Sequence, residues 1–188
     1  MSVVKQLEIL KSWLETEICP DFKFKPANDD NVDETYPYAL VEPNVFILYV
    51  PPAELLNGEK RAPSICVQFT DASENSTEAV GTIDVALQFA TFNPGVHVNY
   101  NSIHDVNEFT RNVEGWRDVW NLVDRVMWKI RNTEVINGLR ITKEKGVKCA
   151  PAKDNGAIPL YYPYYFATVT FTAEYGLAQP KEEIRHLL

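Results

Sequence analysis

The chain has 188 residues, 45% hydrophobic and 23% charged, with 18 basic against 26 acidic side chains and a net charge of −8. That length and composition fit one globular domain with a real hydrophobic core. The acidic surplus argues against a protein whose main task is gripping phosphate, because such proteins present a basic face; here the densest basic cluster is only "KEKGVK", Lys143 to Lys148.

The first predicted element is a helix over residues 1–18. Val3, Leu7, Leu10, Leu14 and Ile18 recur at three- and four-residue steps, Trp13 sits at the stripe's edge, Ser2 is a candidate N-cap and Pro20 ends the pattern. The charges threaded through it leave no unbroken apolar run of the kind a signal peptide carries, and no segment reaches the ~20 apolar residues of a membrane span. Residues 20–35, polar with two prolines, read as a connecting loop.

Strands follow. "NVFILYV" (Asn44 to Val50) is a short apolar run ended by Pro51-Pro52, and "SICVQFT" alternates Ile65, Val67 and Phe69 against Ser64, Cys66 and Gln68. Residues 71–79, "DASENSTEA", are expected to form a polar loop. "GTIDVALQFATF" then alternates most clearly, with Ile83, Val85, Leu87 and Phe89 on the covered face, and Asn93-Pro94-Gly95 ends it. Residues 96–111 read as a long polar and aromatic connection.

A second helix is predicted over 112–132, with Asn112 as N-cap, Glu114 in the first turn, and Lys129 and Arg131 in the last, as the helix dipole prefers. It carries three of the four tryptophans. At about 100° per residue, Val113, Trp116, Val119, Trp120, Val123, Val126, Met127 and Ile130 share one arc, which predicts Trp116 and Trp120 as core. Trp128 falls outside the arc, on the side of Arg117, Asn121, Asp124 and Arg125. Beyond the helix, Asn137-Gly138 suits a type I′ hairpin turn, "APAKDNGAIP" is a further excursion, and "YYFATVTFTAEY" alternates as a strand. Residues 176–188 form a C-terminal tail. The order of elements predicts a single α+β domain, a mainly antiparallel sheet with two principal amphipathic helices packed on it.

Motifs for chemistry are sparse. Cys19, Cys66 and Cys149 make no CxxC pair, and Cys66 reads as a small buried strand residue. There is no GxSxG, GxGxxG or GxxxxGK[ST]. Asp29, Asp30, Asp33 and Glu34 lack EF-hand spacing. A small metal-dependent hydrolase would have to use the loop residues His97, His104 and Asp105, whose spacing matches no rigid ligand pattern; His186 has no partner in sequence. Expected are no enzyme activity, no cofactor and no bound metal.

The β pair "PSICVQFTDASENSTEAVGTIDVALQFATFNPG", the helix "GWRDVWNLVDRVMWKI" and the order of elements around them resemble tail-terminator and related tail-completion proteins of long-tailed bacteriophages, over most of residues 1–175. The resemblance implies an α+β subunit of a six-membered ring that caps the tail tube when elongation ends and offers a docking surface to the head, with no cofactor and no reaction. It implies a homohexamer meeting tail-tube and sheath proteins and a head-neck connector, in a virion tail assembled in the host cytoplasm. DNA would pass through such a ring without specific binding, and no membrane is involved. Another head-tail connector, a baseplate subunit or a part of a tail-like bacteriocin shares these features, and stays open beside the hydrolase. Trp128, Arg117 and Arg125, with His97, Tyr100 and His104 from the long connection, are the expected subunit-interface residues, because tryptophan and arginine are enriched where interfaces bind most tightly.

Overall fold

The computed structural model describes residues 2–27, 39–56, 58, 60–98, 108–158 and 161–177, with the backbone alone at 96–98 and 108–109. Helix α1 (Val3–Glu17) forms where the apolar stripe predicts it. Ser2 precedes it with extended backbone but makes no side-chain cap bond, and Pro20 sits in the tight turn that ends it. Leu7, Leu10, Trp13 and Leu14 are buried, so Trp13 lies inside the stripe rather than at its edge.

Ten further elements follow in chain order: β1 (Asn44–Ile47), β2 (Ser64–Asn75), β3 (Val80–Phe92), β4 (Gly95–Val98), β5 (Glu108–Arg111), α2 (Trp116–Asn132), β6 (Val135–Ile136), β7 (Leu139–Ile141), β8 (Lys148–Pro151) and β9 (Tyr164–Gly176). The main sheet has the order β1-β2-β3-β9-β7-β6, with β8 also pairing β9. Only β1 and β2 run parallel; every other pairing is antiparallel. The chain is therefore α+β, a mainly antiparallel sheet carrying two principal helices. Strands β4 and β5 form a separate two-stranded arm.

Period-two alternation sorts the sheet faces. Ile83, Val85, Leu87 and Phe89 of β3, and Ala167, Val169, Phe171 and Ala173 of β9, are buried in one core with the stripes of both helices. Each large apolar side chain so buried contributes roughly 1.5–3 kcal/mol. The opposite face is polar and knit across strands: the Thr168 hydroxyl donates to Gln88 Oε1 at 2.6 Å, and the Thr172 hydroxyl to Asp84 Oδ1 at 2.5 Å. Cys66 is buried mid-strand, as its place in the sequence suggested.

Several expectations need correction. The connection predicted over 96–111 begins and ends in paired strands, β4 and β5. Residues 71–79 are not a loop: β2 continues to Asn75 past a bulge between Phe69 and Asp71, and only 76–79 turn. Apart from half-buried Ala72 the extension is exposed, so backbone pairing with β3 chiefly holds it and no alternation announces it. β1 stops at Ile47, where Leu48 takes a φ of 67° and the chain leaves the sheet. Helix α2 begins at Trp116 rather than at Asn112, whose Oδ1 accepts the Glu114 N–H at 3.1 Å in a turn preceding the helix. The hairpin at Asn137-Gly138 forms as expected, with φ of 46° and 89° joining β6 to β7. Residues 28–38, 99–107 and 178–188 lie outside the described residues, and with them the acidic group at 29–34, His186 and nearly all of the predicted tail.

Candidate subunit interface

The buried stripe of α2 consists of Val119, Leu122, Val123, Val126 and Ile130, rotated from the predicted arc toward Leu122. Val113 and Trp116 do not join the core: Val113 is exposed and Trp116 is 44% exposed, while Trp120 and Met127 are half-buried against the core's margin. The reason is positional. Both leading residues stand at or before the helix start, and there the start of β9 faces Trp116 across an open groove instead of closing over it. Trp116 instead borders a groove of about 210 Å³ between α2 and the β8–β9 region, shared with Trp120, Pro151, Ile158 and Tyr165.

Trp128 stands 51% exposed on the outer face of α2, as its place outside the arc predicted. The Arg125 guanidinium lies over its ring at 4.9 Å from the centroid, and the same guanidinium donates twice to Asp21 Oδ2, at 2.9 and 2.5 Å. Arg117 repeats the arrangement one end away, 4.9 Å from the Trp116 ring centroid and 2.5 Å from Glu114 Oε2. Lys129 joins Glu17 at 2.8 Å. Exposed ion pairs stabilise by only about 0–1 kcal/mol each. Together they set two arginine planes against two tryptophan rings on the exposed side of the helix.

The root of the β4–β5 arm is held by a polar knot that the sequence did not reveal. Asn93 Nδ2 donates to Asp118 Oδ2 at 2.7 Å, and Asn93 Oδ1 accepts the Gly95 N–H at 3.2 Å and the Lys25 ammonium at 3.3 Å. Lys25 also donates to the Gly95 carbonyl, and the Tyr162 hydroxyl to that of Pro94. Burial pushes the Asp118 carboxyl up against the opposing pull of Asn93 and Lys25, and burial pushes the Lys25 ammonium down despite Asp118. At Gly95 the φ is +150° and a Cβ would fall 2.2 Å from the Thr110 carbonyl oxygen, so no larger residue fits where the arm folds back. The knot spans Lys25, Asn93 and Asp118, too far apart in sequence for any local pattern to join them.

Of the expected interface residues, Trp128, Arg117 and Arg125 share the outer side of α2. His97 lies on β4, opposite Phe109 in the backbone register; Tyr100, His104 and Asp105 fall outside the described residues. Among the described residues no three His, Cys, Asp or Glu side chains are grouped to hold a metal ion, and no helix is long and apolar enough to cross a membrane. Comparison with protein-family models and with curated proteins finds no match to this chain.

Proposed function

We propose that the protein is a non-enzymatic structural subunit of a long-tailed phage or phage-tail-like particle, a tail terminator whose homohexameric ring caps the tail tube and receives the head through a neck connector. The observation that carries this reading is the outer face of α2. Trp128 stands half in solvent, braced by Arg125, on the side of the helix turned away from the core. A large aromatic beside arginine at an exposed position is the composition of a protein contact. The resemblance in sequence supports the choice of particle. The net charge of −8 supports a ring through which duplex DNA slides rather than sticks, since like charges repel within a screening length of roughly 8 Å at physiological salt.

The direct experiment is native mass measurement with negative-stain imaging of the purified chain. A closed ring with a central hole, at a mass that is six times the subunit's, supports a terminator. A protein that stays monomeric at high concentration, or one that copurifies with stoichiometric metal and hydrolyses a substrate, overturns the proposal.

A further inference from the structure

Two stretches of strand edge in the main sheet, one on β2 and one on β8, meet no further strand among the described residues and differ in net charge; the ordered path itself ends at β1 and β6. β1 pairs with β2 only from Ser64 to Val67, so beyond Gln68 the outer side of β2 meets no strand among the described residues. That free edge and its turn carry Asp71, Glu74 and Glu78, all exposed and none in an ion pair among the described residues. Exposed Phe69 lies on the same edge and Tyr49 just beyond the end of β1. Across the sheet, β8 pairs with β9 on one side and with no strand on its other side among the described residues. Lys148 on β8 and Lys143 in the turn before it are exposed and have no ion-pair partner among the described residues, Lys145 stands 3.9 Å from Asp84, and exposed Glu144 lies between them, so this stretch carries three cations against one carboxylate. The groove bordered by Trp116 and Ile158 runs beside this edge at Pro151.

An open strand edge offers unpaired backbone donors and acceptors to any chain that can approach, and edge charges decide which chain that is. Two acidic edges repel, as do two basic ones. An acidic edge meets a basic one with attraction, and each edge here has apolar side chains beside its charges to bury on contact. We infer that the free edge of β2 in one copy pairs with the free edge of β8 in the next, so that the sheet continues from subunit to subunit. The occupant of each edge is a second copy of this chain, because the complementary partner of each lies on the chain itself. Since the two edges differ, the contact is head-to-tail and propagates until the rotation closes a ring. This inference rests on the ring proposed above and names the surfaces that join it.

Paired charge reversals test it. E74K/E78K makes both edges basic, and K143E/K148E makes both acidic; all four positions are exposed, so far-ultraviolet circular dichroism should match the wild type. Each variant alone should associate more weakly than wild type by roughly tenfold or more. An equimolar mixture should recover assembly, with the two variants alternating in a 1:1 particle. Rings formed by either variant alone at wild-type concentrations, or a mixture that stays monomeric while wild type assembles, would overturn the edge contact and leave the ring standing. A wild type that never assembles would overturn the ring and the edge contact together.

Discussion

The side-chain amide of Asn93 donates to the Asp118 carboxylate across 2.7 Å, tying the residue that follows β3 to the first turn of α2. Because burial raises the Asp118 pKa above its ordinary 3.8, the folded chain holds that proton more tightly than the unfolded chain does. The contribution is therefore present at low pH and lost as pH rises from the ordinary carboxylate value through the folded one. Lys25, pushed down by burial, acts at the alkaline end, where stability rises with pH from its lowered folded value toward 10.5. The measurable quantity is the difference in urea midpoint between wild type and Asp118→Asn. In the acid range it should fall, relative to the variant, as pH increases; parallel curves would remove Asp118 from the account.

Leu122 and Trp128 separate core from contact. Leu122 is fully buried, and Leu122→Ala should cost about 2–5 kcal/mol in equilibrium unfolding. Trp128→Ala removes an exposed ring and one cation–π contact, and should cost the monomer no more than about 1 kcal/mol while weakening assembly. Trp128→Ala rings as stable as wild type would take Trp128 out of the interface.

The three thiols should react at distinct rates. Burial pushes Cys19 up to about 12, with Glu15 and Glu42 adding to it, and Cys66 up to about 11, so little thiolate exists at neutral pH and both are covered. Cys149 is exposed on β8. An aromatic disulfide reagent should label one thiol rapidly in the native monomer and three only on denaturation. Two fast thiols would mean that the layer over Cys19 or Cys66 opens readily.

Gly95→Ala probes the arm. The new Cβ would meet the Thr110 carbonyl, in a backbone conformation that costs a side-chain-bearing residue about 1–3 kcal/mol. Hydrogen exchange at 95–98 and 108–111 should quicken while β3 and β9 keep their protection. If β3 and β9 lose protection as well, the arm is part of the core's cooperative unit.

What could be foreseen in the sequence was whatever is local. The 3.6-residue stripe of α1, the alternation along β3 and β9 and the Asn137-Gly138 turn each repeat within one element, so short windows suffice. Helical projection puts Trp116 on the core side because it tells which residues share a side, not whether a groove opens over one of them. The Asp71–Asn75 extension of β2 was missed because neither face is buried enough to impose a pattern. Nothing near Asn93 or Asp118 points from one to the other across 25 residues. The helical projection sets Trp128 outside the apolar arc but leaves open whether it lies under another part of its own chain, which only the three-dimensional arrangement answers: it is half exposed.

Strand β9 lies in the middle of the sheet yet is the last strand among the described residues, pairing along its whole length with β3; Thr168 and Gln88 are 80 residues apart. During synthesis β2 and β3 can join as a hairpin early, but the far edge of β3, with Ile83, Val85, Leu87 and Phe89 beside it, has no partner until residue 176 has left the ribosome. Such distant pairing is slow, and a long apolar strand waiting with one side open is the species most prone to stick to its neighbours. Until β9 emerges, the unpaired side of β3 is the part of the growing chain most exposed to wrong partners.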